Sequence, residues 1–199
     1  MNVNHRTLRC PICFTSSAKI IKGYNFKTLG YSYRGSMLVL KNILNSEYLW
    51  SQVRIKGGAY GSAISISPSG NIFLYSYRDP NLKETLKVFD NSNIYLKNFK
   101  PSDTEMKNYI IGTIGNLDSP LDPCDKGRTA DINYIIKKTQ KDIQNERTQV
   151  LLTKKEDIVN YSDLLKKITE KNYLCVIGNR QKIISNKNLF SSVKNIITK

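Results

Sequence analysis

The sequence has little histidine, little cysteine and no long apolar run, and each shortage removes a class of function. Among 199 residues there is one histidine, His5. A hydrolytic zinc site of the H-E-x-x-H or H-x-x-E-H kind needs two histidines on one helix face, so none can be built within this chain. A Ser-His-Asp or Cys-His triad would have to use His5, which lies in a polar N-terminal stretch with nothing to anchor it. The four cysteines, Cys10, Cys13, Cys124 and Cys175, do not make a disulfide framework and fit a reducing compartment. Cys10-Pro11-Ile12-Cys13 has the spacing of half a zinc knuckle, but no second C-x-x-C follows to close a four-ligand site. No metal or other cofactor is expected in this chain. No segment approaches the roughly 18 apolar residues that cross a bilayer, and Met1 to Arg9 lacks the apolar core of a secretory signal. The expectation is a soluble, unexported chain without a membrane partner, cytoplasmic or in an organelle matrix if eukaryotic. Gly-rich loops of the G-x-G-x-x-G and Walker kinds are absent too.

Acidic residues are also scarce, 16 against 31 lysines and arginines, for a formal net charge of +15. Three readings compete for that excess: a polyanion partner, solvated lysine-rich helix faces, and a positive potential that steers acidic peptides. The excess is mostly lysine scattered through helical stretches, such as Lys137, Lys138, Lys141, Lys154, Lys155, Lys166 and Lys167. A nucleic-acid interface would instead show a basic stripe with Arg and interleaved aromatics. No nucleic-acid partner is therefore expected, and a basic nucleic-acid-binding module is the minor alternative.

What is present suffices for one folded domain: 40% hydrophobic and 10% aromatic residues spread along the whole length. Ser16 to Phe26 reads as a strand, and Gly30 as a turn. Met37, Leu40, Leu44 and Tyr48, then Leu49 and Val53, read as a helix toward Arg54 with a break near Asn45-Ser46, stopping at Gly57-Gly58. Ile64 and Ile66 alternate with serines, Pro68-Ser69-Gly70-Asn71 turns, and Ile72 to Tyr77 alternates again as a hairpin. Asp79-Pro80 reads as a helix start with the helix running to about Asp90. Ser102 and Glu105 form a capping box for a helix to Leu117, and Thr153 with Glu156 reads as a second box for a helix through Thr169. Between them, after the break at Ser119 to Pro123, lie helical stretches at Gly127–Lys137 and Lys138–Leu152. Tyr173 to Ile177 reads as a strand, and Leu189, Phe190, Val193 and Ile197 as a last helix. The pattern predicts an α+β domain with helices packed on one face of a mostly antiparallel sheet.

One stretch stands out as candidate chemistry: Arg54-Ile55-Lys56-Gly57-Gly58-Ala59-Tyr60-Gly61. Gly57 and Gly58 let backbone approach a ligand closely, because no Cβ intervenes. Arg54 can give a fork of bonds to a carbonyl or carboxylate, and Tyr60 can give one bond to a developing oxyanion. The plainer reading is a tight helix-to-strand turn with Arg54 on the surface and Tyr60 in the core.

This segment resembles the R-V-K-G-G-A-Y-G stretch in the C-terminal half of presequence-protease-like (falcilysin-like) members of the insulinase, or pitrilysin, zinc metallopeptidases. The resemblance continues through Ser69-Gly70, Tyr75 to Leu82, Tyr109 to Ile114, Leu117 to Leu121, Lys126-Gly127 and Val176 to Asn179, from about Ser16 to the C-terminus. Residues 1–15 have no counterpart in it, so the chain divides into a divergent segment 1–15 and a family domain 16–199. Members of the family are several times longer and form a clamshell around a chamber. The resemblance implies a C-terminal domain without its own zinc. It also implies zinc in the N-terminal half, unstructured peptides as substrates, and Arg54 and Tyr60 reaching across to hold the peptide backbone, with Gly57 and Gly58 between them. Alone, the chain is expected to cleave nothing. The alternative is a catalytically inactive remnant, or a chaperone-like domain that holds peptides without cutting them.

Overall fold

The computed structural model describes residues 11–13 and 17–195. Strand β1 (Pro11–Cys13) is followed by β2 (Ala18–Asn25), where buried Ala18, Ile20 and Lys22 alternate with exposed Lys19 and Ile21. A short 3-10 helix, Phe26–Leu29, closes on Gly30 at φ +83°. Helix α1 (Ser36–Ile43) then passes directly into a π-helix, Leu44–Ile55, where a break near Asn45-Ser46 was predicted. The reason lies in the buried positions. Leu44, Leu49 and Val53 are spaced five and four apart, wider than the α-helical period, and only an i→i+5 ladder keeps all three on one buried line.

The predicted hairpin is present as β3 (Gly61–Ile66) and β4 (Asn71–Asp79), turned at Gly70 with φ +105°. Helices α2 (Leu82–Asp90), α3 (Ser92–Lys97), α4 (Asp103–Leu117), α5 (Pro123–Ile135), α6 (Gln140–Leu151) and α7 (Lys155–Glu170) follow. Then come β5 (Leu174–Asn179), α8 (Arg180–Ser185) and β6 (Lys194–Asn195). The Ser102–Glu105 capping box is present at α4.

Several boundaries differ from the sequence reading, each for a local reason. Helix α2 starts at Leu82, because Asp79 is fully buried and accepts instead from the Asn81 amide at 2.8 Å and the Thr85 hydroxyl at 2.7 Å. Helix α5 starts at Pro123, four residues early, since Asp122 accepts from the Asp125 amide and Pro123 loses no needed donor there. The second capping box shifts. Thr153 still closes α6, its hydroxyl donating to the Gln149 carbonyl at 2.8 Å, and α7 is opened by Asp157 accepting from the Lys154 amide. In place of the last predicted helix, Lys187–Leu189 makes one 3-10 turn and Lys194–Asn195 joins the sheet. Ile197 lies outside the described residues, as do His5, Cys10 and the Cys13 side chain.

Among the described residues the sheet has six strands, in the order β3-β4-β2-β5-β1-β6. The first four are antiparallel, and β1 runs parallel to both β5 and β6, so Pro11–Cys13 pairs within this same sheet. The predicted α+β class with a mostly antiparallel sheet is therefore the observed one. One face carries Ile20, Ile64, Ile72, Leu74 and Val176, all nearly fully buried beneath the helices together with Leu40, Leu44, Leu49 and Phe89. Each such side chain contributes roughly 1.5–3 kcal/mol by leaving water. On the opposite face Ile21, Phe73 and Tyr75 are about 40% exposed: Ile21 42%, Phe73 40% and Tyr75 39%. Register puts Ile21 opposite Tyr75, so the open face is apolar and aromatic.

Candidate functional site

The glycine turn is built by the π-helix that precedes it. An α-helix closing on a left-handed glycine makes two bonds, one spanning five residues and one three. Here Ala59 N donates to Val53 O at 3.2 Å and Gly58 N to Arg54 O at 3.0 Å, each spanning one residue more. Gly58 supplies the left-handed conformation, φ +72°, and a Cβ on Gly57 would stand 2.5 Å from the Val53 carbonyl oxygen. Both glycines are thus demanded by the turn itself. The Asn81 side chain, which leaves the α2 N-terminus uncapped, donates to the Gly57 carbonyl at 2.5 Å. The Asn45 amide pairs with both backbone groups of Ile64 on the outer edge of β3, 2.6 Å to its N–H and 3.3 Å to its carbonyl. Helix, turn and strand are held together from both sides.

On this frame Arg54 and Tyr60 both stand at the surface, and among the described residues no hydrogen bond or ring contact joins them. Arg54 lays its guanidinium 4.0 Å from the centroid of the Trp50 ring, one π-helical turn back. Tyr60 is 65% exposed, which overturns the reading that placed it in the core. Its ring meets Tyr77 edge-on at 5.9 Å, and the Arg78 guanidinium lies 5.5 Å from Tyr60 and 5.4 Å from Tyr77. Lys19 also lies over Tyr77, its amino group 4.8 Å from the ring centroid. Among the described residues, no hydrogen bond engages the Tyr60 hydroxyl and no ion pair engages Arg54. Both donors are available to a ligand.

Trp50, Arg78, Lys19, Tyr77, Asn45 and Asn81 escaped the sequence reading as parts of this site. Trp50 could have been found, since four residues before Arg54 is the neighbouring position on a helix face. Arg78 could not. Its φ of +49° is unusual for a residue with a side chain, and no pattern in the sequence announces it. Among the described residues, no group of three His, Cys, Asp or Glu could hold a metal ion. No helix among them is long and apolar enough to cross a membrane.

Comparison with known proteins agrees with the architecture. The family model described as the PreP C-terminal domain matches residues 12–179. The chain is 41% identical to Protein HypA of Clostridium perfringens over 89% of its own length and 18% of that protein's. It is 29% identical to presequence protease 1, chloroplastic/mitochondrial, of Arabidopsis thaliana over 81% of its length and 15% of the relative's. With the mitochondrial presequence protease of Emericella nidulans it shares 32% identity over 76% of its length and 14% of the relative's. The chain thus spans less than a fifth of these curated relatives. Among solved structures, pitrilysin superposes with a TM-score of 0.62 at 13% identity, covering 86% of this chain and 19% of that one. The M16 inactive domain from Pseudomonas fluorescens gives 0.58 at 18%, covering 87% and 43%. At such identities these two likenesses speak for the fold alone. With 168 consecutive residues, 12–179, matched by one family model, the chain belongs to the presequence protease family of pitrilysin-type (M16) metallopeptidases, as its C-terminal domain.

Proposed function

We propose that this domain clamps extended peptides for a zinc metalloendopeptidase whose metal is held by the N-terminal half of the protein. The observation that carries the reading is the pair of available donors, Arg54 and Tyr60, on either side of a turn fixed by Asn45 and Asn81. Arg54 grips a peptide carbonyl or carboxylate with its planar fork, and Tyr60 donates to an oxygen that gains charge as a peptide bond is attacked. A partner surface is also available: α5 buries none of its residues, and Ile132, Tyr134, Ile135 and Ile136 are 49%, 87%, 75% and 61% exposed around its end. Such an apolar patch fits association with the remaining part of a larger protein.

The chain alone should cleave nothing, and activity should appear when a matching zinc-bearing half is supplied. In that reconstituted enzyme Tyr60→Phe removes one hydroxyl and keeps the ring. Turnover should fall on the order of a hundredfold with little change in KM, because the lost bond strengthens only as charge develops. Arg54→Ala should affect both turnover and KM. Near-normal turnover of Tyr60→Phe would sink the assignment, and peptide retained without cleavage in the paired enzyme would favour a peptide-holding domain instead.

A further inference from the structure

A second site lies among the helices, formed by residues that the clamp does not use. The start of the π-helix, α3 and α4 enclose a groove of about 590 Å3. Its wall is a continuous run of four rings: Tyr48 stacks on Tyr95 at 4.7 Å, Tyr95 meets Phe99 at 6.0 Å, and Phe99 meets Tyr109 at 6.1 Å. Two carboxylates, Glu47 and Glu105, line the same groove. Burial first, then Glu47 and then Glu105 push the Tyr95 phenol up to about 12, and burial, Glu47 (which also accepts from the Tyr109 hydroxyl), Tyr95 and Glu105 do the same for Tyr109, so the two negative charges bear on the same rings from different helices. Glu105 stays charged, its carboxyl held below the usual range by the Ser102 amide and hydroxyl. The remaining charged group in the wall, Lys100, forms no ion pair with either carboxylate among the described residues. Nearby Asp90 is already paired with Lys22.

In a protein of net charge +15 this groove is an anionic, aromatic exception. Aromatic faces attract cations through the ring quadrupole, and carboxylates at their rim add a full charge. A planar guanidinium satisfies both features at once, stacking on a ring while its N–H groups fork to a carboxylate, which a compact ammonium does less well. The same chain already seats a guanidinium on a ring, Arg54 on Trp50. We propose that the Tyr48–Tyr95–Phe99–Tyr109 groove binds the arginine side chain of a peptide segment, with Glu47 and Glu105 as counter-charges. This site is independent of the clamp and stands or falls without it.

Calorimetric titration of the full chain at low salt with Gly-Gly-Arg-Gly-Gly tests it, against the same peptide carrying citrulline, which keeps the shape and loses the charge. Citrulline should bind at least tenfold more weakly. The double variant E47Q/E105Q should bind the arginine peptide no better than citrulline while unfolding in one cooperative transition at a melting temperature only a few degrees lower, because glutamine keeps the capping-box hydrogen bonds with Ser102 and loses only the charge. Amide shifts on adding the arginine peptide should centre on residues 94–109 in NMR spectra. Equal binding of the two peptides, an unaffected double variant, shifts confined to other surfaces, or no saturable binding would each overturn the proposal. Spermidine binding more tightly than the arginine peptide would replace the arginine side chain with a free polyamine and overturn it as stated.

Discussion

Arg78 has a backbone conformation that favours glycine, yet it carries the side chain that lies beside Tyr60. Its φ of +49° costs on the order of 1 kcal/mol for a residue with a Cβ. Its contacts with the Tyr60 and Tyr77 rings, each worth about 0.5–1 kcal/mol at an exposed site, offset that cost. Arg78→Ala should therefore keep the strain and lose the contacts, whereas Arg78→Gly loses both. The glycine variant should be the more stable of the two by about 1 kcal/mol in urea unfolding, and the reverse order would mean that the left-handed conformation is not maintained in solution. Residues of this kind set the limit of the sequence reading. Arg54 and Tyr60 stand out in the sequence because they flank glycines in a segment that resembles a family motif, and Tyr60 is left open between core and surface because an aromatic beside a strand suits both. Ring–cation geometry has no periodicity, so Trp50 and Arg78 left no trace.

Helix termini were the most legible elements where a side chain closes them in the usual way, and the least where the neighbouring helix had a prior use for the residue. Ser102 and Glu105 sit as predicted, with the Glu105 N–H donating to the Ser102 hydroxyl and the Ser102 N–H donating to Glu105. Thr153 was misplaced because its hydroxyl serves the outgoing end of α6. Ser102→Ala should lower stability by about 1 kcal/mol. The box also sets a pH dependence. The Ser102 amide, then its hydroxyl, hold the Glu105 carboxyl below its ordinary value, and Thr139 does the same for Asp142 at α6. A group depressed in the folded state stabilises fully above its unfolded pKa, about 4.3 for Glu, and loses that contribution as pH falls through the folded value. Acid should thus weaken α4 and α6 first, and Glu105→Gln should flatten the acid limb of a stability profile read by circular dichroism. The π-helix was half legible: the residues predicted a helix with a fault near Asn45, and the fault proved to be a change of pitch.

Across the whole molecule the layered α+β arrangement followed from the alternation in β2, β3 and β4, while the strand order did not, since β1 and β6 are too short to carry a pattern. A lysine on the covered face was equally unannounced. Lys22 is 4% exposed, and its amino group meets the Asp90 carboxylate at 2.5 Å, joining β2 to the end of α2. Removing one partner of a buried pair costs about 3–5 kcal/mol, and less here because Asp90 is half exposed. Asp90→Ala, which leaves the cation stranded, should lower the urea midpoint much more than Lys22→Met, which replaces the buried charge with an apolar chain of similar length. Equal losses would mean that the pair acts only through packing.

The position of β2 between β4 and β5 bears on how the chain assembles. Ile20 stands opposite Ser76 on one side and Val176 on the other, so the central strand joins a near neighbour and a segment from far down the chain. During synthesis β2, β3 and β4 can meet while most of the helices are still unmade, but the second edge of β2 stays bare until Leu174–Asn179 has emerged. Closing so long a loop is slow, and for that interval an unpaired edge is open to other chains. A polypeptide interrupted before Leu174 would retain the hairpin and most helices, yet present β2 as a template for aggregation, so the late-made β5 acts as the guard of that edge.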